Sequence, residues 1–270
     1  MAGSGALTVG LYKIEGIVLR RRNLGEADRL VTVLSRDRGK LTAVAKGARR
    51  PRSRLGGRLE PPTRFKALLA EGRSLDIISQ VEVIDAHAPL RDDLERMGAT
   101  AVILELTDRA LAERHPHPEV YRLLAEALGV LRSGAAAPLE LAGLWYGARL
   151  LVLTGHRPAV ERCAVCGKRT RGRSMWSATL GGCLDEACRA RDPRATFMTA
   201  GAAALVAFLL DARPAALRHV HATADEVAVV AESLRTYAEV CWEARLRAQA
   251  VVARLRDAMR VAEATRAYRT

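Results

Sequence analysis

Five short apolar runs occupy the first third of the chain, each of strand length and bounded by turn or polar residues. Ile14, Ile17, Val18 and Leu19 form the first, which ends in Arg20-Arg21-Arg22. Ala27 to Ser35 is the second, and Arg38-Gly39 marks a turn before the third, Lys40 to Lys46, where Leu41, Ala43 and Ala45 face inward. Arg64 to Ala70 and Leu75 to Ile84 follow, separated by Glu71-Gly72-Arg73. Five strands in so short a stretch leave unpaired edges unless the sheet closes, so a small barrel is predicted. An OB barrel fits the count and the charge; an SH3-like barrel fits the pattern nearly as well.

Beyond Pro89 the period lengthens to three or four. Leu90, Leu94, Met97, Ala101, Leu104, Ala110 and Leu111 predict one long helix. Further helices are predicted over 119–131, 138–154 and from Thr199 to about Leu210. Thr223-Ala-Asp-Glu226 has capping-box spacing, and an alternating three-four seam runs from Val227 through Cys241, Leu255 and Ala258 to Ala262. That seam predicts an unbroken terminal helix. It packs along the bundle or joins a second copy as a coiled coil, although its many alanines supply little apolar area.

The fold class expected is therefore α+β and multidomain: a five-stranded OB-type barrel, then a helical body carrying a cysteine-rich insertion. The boundaries read as a flexible tail over 1–11, the barrel over 12–86, helices over 87–158, a zinc-binding module over 159–197 and helices over 198–270.

Charge sharpens this picture. The chain of 270 residues has a formal net charge of +13. Its first 80 residues hold 17 Lys/Arg against seven Asp/Glu, whereas residues 81–160 hold eight against 11. The stretch KGARRPRSR, Lys46 to Arg54, places five cations in nine residues. Such concentration implies a polyanionic partner, with a solvated basic surface as the plain alternative. Candidate phosphate contacts are Arg20, Arg21, Arg22, Lys40, Lys46, Arg49, Arg50, Arg52, Arg54, Arg58, Arg64 and Lys66. The loop around Pro51 is expected to be mobile and to follow a backbone without fixed register. Only Tyr12 and Phe65 are aromatic in the first 80 residues, too few for base stacking along a single strand. Binding dominated by phosphate, on single and double strands alike, is the expectation. A protein that neutralises two strands can anneal them without a nucleotide.

Cys163-Ala-Val-Cys166-Gly-Lys reads as half of a zinc knuckle, and Cys183 with Cys188 completes a C-x2-C-x16-C-x4-C pattern. Four thiolates leave no open position, so the expected Zn2+ is structural. His156 is a possible substitute ligand, and four reduced thiols without metal are the alternative. Lys168, Arg169, Arg171 and Arg173 lie between the pairs, positioned to offset thiolate charge or touch nucleic acid. Cys241 reads as a core thiol. No G-x-x-x-x-G-K-[ST] or H-E-x-x-H motif occurs, and His115 and His117 flank a turn without an evident carboxylate partner, so an enzyme is not expected. No secretory leader is expected from the start MAGSGALTVG, and the apolar run Ala200 to Leu210 is too short to span a bilayer; a cytoplasmic protein is expected.

The segment GIVLRRRNLGEADRLVTVLSRDRGKLTAVAKGARRPRSRLGGRLEP, Gly16 to Pro61, resembles the barrel of the bacterial RecO recombination-mediator family. ERCAVCGK, GGC and Cys188 resemble its later metal segment, with a second cysteine pair spaced more widely. The resemblance implies an OB barrel, a helical body and a DNA-repair role without catalysis. It implies binding to single- and double-stranded DNA, strand annealing, partnership with RecR and with single-stranded-DNA-binding protein, indirect action on the RecA filament, and association with the nucleoid. A basic zinc-module protein acting on RNA or ribosomal assemblies is the alternative from another class.

Overall fold

A computed structural model describes residues 10–134, 138–170, 174–252 and 254. The chain forms two units: one runs up to Ala88 and includes Leu111–Arg122, and the other comprises Pro89–Ala110 and the chain from Leu123 onward. The cysteine-rich insertion groups with the helices in the second unit.

The first unit is a closed barrel of five strands: β1 (Leu11–Leu24), β2 (Asp28–Ser35), β3 (Gly39–Ala45), β4 (Arg64–Ala70) and β5 (Asp76–Asp85). Their order around the barrel is β1-β2-β3-β5-β4, with β1 closing onto β4. This is the OB arrangement, and the SH3-like alternative falls away. Closure depends on β1, the longest strand. Its first half pairs with β4, from Leu11 opposite Ala70 to Ile17 opposite Arg64. Its second half pairs with β2, from Gly16 opposite Ser35 to Leu24 opposite Asp28. The register slips between Val18 and Arg20, where a bulge bends the strand from one partner to the other. Val18, Val31, Val33, Leu41, Phe65 and Leu69 fill the interior.

Ion pairs brace the outside of this unit. Asp76, 2 % exposed, accepts hydrogen bonds from the Tyr12 hydroxyl (2.5 Å), the Gly72 amide (3.2 Å) and Arg114 Nη2 (2.9 Å). Burial pushes its carboxyl up, but these donors outweigh that and hold it below the ordinary carboxylate range. Glu15 accepts from Arg64 Nε at 3.0 Å and from the Tyr121 hydroxyl at 3.1 Å, and Arg64 above all holds it low as well.

In the second unit, α1 (Leu94–Ala110), α3 (Leu139–Leu153), α4 (Ala200–Asp211) and α5 (Ala224–Cys241) pack around α3, which touches the other three. Between Leu111 and α3 the chain forms α2 (Pro118–Ser133). The apolar spacing placed α2, α3 and α4 within a few residues. Thr199 caps α4 through Ala202 N, and Thr223 with Glu226 forms the expected capping box on α5. Polar groups on the buried face of α3 find partners: Tyr146 and Thr107 share a hydrogen bond of 2.5 Å, and Trp145 Nε1 donates to Ala212 O at 2.9 Å.

Two expectations are corrected. α1 begins at Leu94, because Leu90 closes a single 3-10 turn and Asp93 caps the helix through Arg96 N at 2.7 Å. The terminal helix is not continuous. α5 stops at Cys241, Trp242 turns the chain and Glu243 takes a positive φ of 47°. The chain is helical again from residue 248. Carboxylates hold the corner: Glu239 accepts from Leu246 N at 2.9 Å, and Glu105 of α1 accepts from Arg247 N and Ala248 N at 2.9 and 2.7 Å. The straight seam needed for a coiled-coil partner is therefore broken; Leu255, Ala258 and Ala262 lie outside the described residues. No described helix is long and apolar enough to cross a membrane.

Because Asp76 and Glu15 are held low in the fold, their stabilisation is complete above the ordinary carboxylate range and is lost as pH falls through it and below. Barrel stability is expected to decline on acidification below about pH 5. Asp76→Asn should lower unfolding free energy by about 1–3 kcal/mol at neutral pH and flatten the acid limb, read from urea melts across pH.

Candidate nucleic-acid interface and metal centre

The cationic loop is an ordered run of turns. Gly47 N donates to Asp28 Oδ1 at 2.7 Å, and Arg49 N donates to Ala27 O at 2.9 Å. Arg49 Nη1 reaches Gly25 O at 2.6 Å. Within the loop, Arg50 N bonds Gly47 O and Ser53 N bonds Arg50 O. Ala48 and Leu59 plug into the barrel core and fix the two ends. Apolar anchors and turn hydrogen bonds thus fasten the loop at both ends.

These contacts seat the loop against the β1–β2 hairpin, which carries Arg20, Arg21 and Arg22. Two basic clusters far apart in sequence therefore share one end of the barrel. Arg22, Lys46, Arg50, Arg52 and Arg54 are exposed and have no ion pair among the described residues. Arg21 pairs with Glu60, and Arg58 Nη1 donates to Val81 O at 3.1 Å. Arg20 is exposed on the same hairpin.

Three of the twelve candidates stand apart. Lys40 is only 9 % exposed, and its carbonyl accepts from Arg114 N at 2.7 Å, so it is part of the wall. Arg64 is committed to Glu15 at 2.5 Å. Lys66 is exposed, but Glu15 and Glu82 face it across the neighbouring strands, so its surroundings are of mixed sign.

Two further residues, Arg29 and Glu60, belong to the candidate interface. Arg29 on β2 donates to Gly56 O and to Glu60, both at 3.3 Å. Glu60 takes Arg21 and Arg29 together, tying the loop's end to two strands. The aromatics are also accounted for: Phe65 is in the core, and the Arg38 guanidinium lies 4.9 Å over the Tyr12 ring. Neither presents a face for a stacked base.

In the cysteine segment, β6 (Ser174–Ser177), β7 (Gly182–Leu184) and β8 (Thr196–Met198) form a sheet in the order β7-β6-β8. Trp176 of β6, 2 % exposed, meets Tyr237 of α5 edge to face at 5.9 Å. Gly182 permits a close backbone approach: a Cβ there would sit 2.0 Å from Ala159 O.

The ligand atoms of Cys163, Cys166, Asp185 and Cys188 all lie within 4.8 Å of one another. Three of the four predicted ligands are therefore brought together. Cys183 is not in the group; it is 0 % exposed, in the middle of β7, where its N–H and C=O bond Ala159 and Ala164. His156 is also outside, with Nδ1 at 3.2 Å from Thr154 Oγ1. Arg171 and Arg173 lie outside the described residues. Cys241 is half-buried beside Tyr237.

The knuckle turns at Gly167, whose φ is 72°. Burial pushes the Cys163 thiol up, but the N–H groups of Cys166, Asp185 and Val165 outweigh it and bring it to about 7. The Asp185 carboxylate, chiefly, pushes the Cys188 thiol up to about 12. Burial also raises Cys183. Ligands around a tetrahedral zinc stand about 3.7 Å apart, so the cluster needs little closure to hold one. Three sulfurs and a carboxylate suit zinc better than magnesium or calcium. The ion would cross-link the knuckle to the turn after β7, a structural service.

The described residues thus form a five-stranded OB-type barrel with one cationic end and a helical unit that carries a cysteine knuckle. Residues 9–87 match the family model for the recombination protein O N terminal, and residues 91–250 match that for the recombination protein O C terminal. A DNA repair protein RecO of Bifidobacterium longum is 44% identical over 188 residues, 69% of this chain and 77% of that one. One of Symbiobacterium thermophilum is 33% identical over 253 residues, 93% of this chain and 100% of that one. The chain belongs to the RecO family.

Glu60→Gln should release Arg21 and Arg29 and loosen the loop's end. Tryptic cleavage within residues 46–58 is expected to speed up about three- to tenfold under native conditions, with little change in the global melt.

Proposed function

We propose that this protein is a recombination mediator that binds single- and double-stranded DNA through phosphate contacts and anneals complementary strands without ATP. One observation supports this reading above the rest: unpaired cations from a hairpin and a fastened loop share one barrel end, while both barrel aromatics are covered. Cations held on a rigid frame neutralise phosphate at small entropic cost, and releasing condensed counterions drives the association. Without exposed aromatic faces the barrel has no means to unstack and grip bases. It therefore discriminates little among sequences and leaves the bases free to pair. Phosphate recognition alone does not separate DNA from RNA; the relatives' description as DNA repair proteins favours DNA.

The role carries no catalytic step, and it includes cooperation with RecR and loading of RecA onto DNA covered by single-stranded-DNA-binding protein. A partner's acidic, apolar-ended tail would fit an apolar groove with a basic rim. The helical unit has a groove lined by Leu106, Leu144, Leu234 and Trp242. Its polar lining includes Glu105, Glu140 and Arg235, and Glu232 and Glu239 already hold Arg235. That rim is mixed in sign, so the tail is not assigned to it.

Replacing Arg50, Arg52 and Arg54 together with Ala should weaken binding to all DNA sequences. The log–log salt slope should fall by about 3 if each arginine contacts one phosphate. Lys66→Ala should leave titrations almost unchanged. Equal effects from both variants would contradict this placement of the interface. Annealing of complementary oligonucleotides should proceed in EDTA without nucleotide.

A further inference from the structure

The cysteine spacing predicts a four-thiolate site, but the fold brings a carboxylate to the fourth place. We propose that Asp185, and not Cys183, is the fourth ligand of the zinc centre, which makes the site Cys3Asp. The inference rests on the reading of this cluster as a zinc centre.

Geometry carries it. Asp185 Oδ2 lies 3.2 Å from Cys166 Sγ, among the three thiols. Asp185 Oδ1 accepts from Cys188 N at 2.9 Å as the carboxylate caps the 3-10 helix Glu186–Arg191. One carboxylate oxygen is thus clamped by the backbone, and the other points at the thiols. This is the orienting partner that a metal ligand ordinarily takes from the shell behind it. The spacing agrees: Asp185-x2-Cys188 repeats the interval of Cys163-x2-Cys166, whereas four residues separate Cys183 from Cys188. The structure gives Cys183 another task. It sits opposite Trp176 in the β6–β7 ladder, wholly buried, with both peptide groups engaged.

A carboxylate is a harder donor than a thiolate and binds zinc more weakly. Cys163 is buried while Cys166 is exposed and Asp185 and Cys188 are part-exposed, so solvent reaches the oxygen donor along with two of the thiols. The centre should therefore release zinc to a chelator faster than a four-thiolate site would.

The test uses the full-length protein loaded with Zn2+ or Co2+. Metal content is measured by elemental analysis, and thiolate number by the near-ultraviolet sulfur-to-cobalt charge-transfer band. Cys183→Ala is expected to keep one metal per chain with the band unchanged. Asp185→Ala should keep the band's position but lose metal to a chelator at least tenfold faster. Asp185→Cys should raise the band by about one third, the ratio of four thiolates to three, and slow the loss. Cys183→Ala fills a buried place with a smaller side chain; should it fail to fold, the two Asp185 variants still decide. Loss of a thiolate band in a folded Cys183→Ala protein, or no gain in Asp185→Cys, overturns the ligand assignment while leaving a metal centre. A wild-type chain that takes up neither metal overturns the zinc reading itself, and the assignment with it.

Discussion

Mutual repulsion among cations confined to one end of a small barrel is the constraint that the first unit must satisfy. Five cations in nine residues would drive an unsupported loop outward. The barrel meets this with very few anions. Asp28 takes the loop's first amide, and Glu60 bridges Arg21 and Arg29 where the loop rejoins the wall. Apolar anchors at Ala48 and Leu59 supply attraction that does not neutralise charge. The fold thus spends carboxylates on position and leaves Arg50, Arg52 and Arg54 uncompensated.

The opposite policy governs the wall. There Asp76, Glu15, Arg64, Arg114, Tyr12 and Tyr121 satisfy one another across β1, β4, β5 and the segment 111–122. A charge in that network braces the barrel and is lost to any partner. This is why a list of basic residues overstates an interface: Lys40 and Arg64 have the right chemistry but structural neighbours. Separating the two groups needs three-dimensional contacts, because what commits Arg64 is Glu15, a residue 49 positions away in the sequence.

Much of the architecture was legible. Short apolar runs with turn signals at Arg38-Gly39 and Glu71-Gly72-Arg73 placed all five strands, and Thr199 and Thr223 announced their helices. The break after α5 was not legible, since Trp242 to Arg247 contains neither Gly nor Pro and the seam continues through it. Only tertiary carboxylates, Glu239 and above all the distant Glu105, explain it. The metal group was half legible. Counting cysteines favoured Cys183, while the x2 interval at Asp185 lay in the sequence, masked by its residue type.

The distribution of indoles has a practical consequence. The chain has three tryptophans, Trp145, Trp176 and Trp242, and all belong to the second unit. The barrel has none. Intrinsic emission excited at long wavelength therefore reports the helices and the cysteine segment alone, and the barrel is silent in that channel. Quenching of that emission by added polynucleotide would be a signal from beyond the barrel.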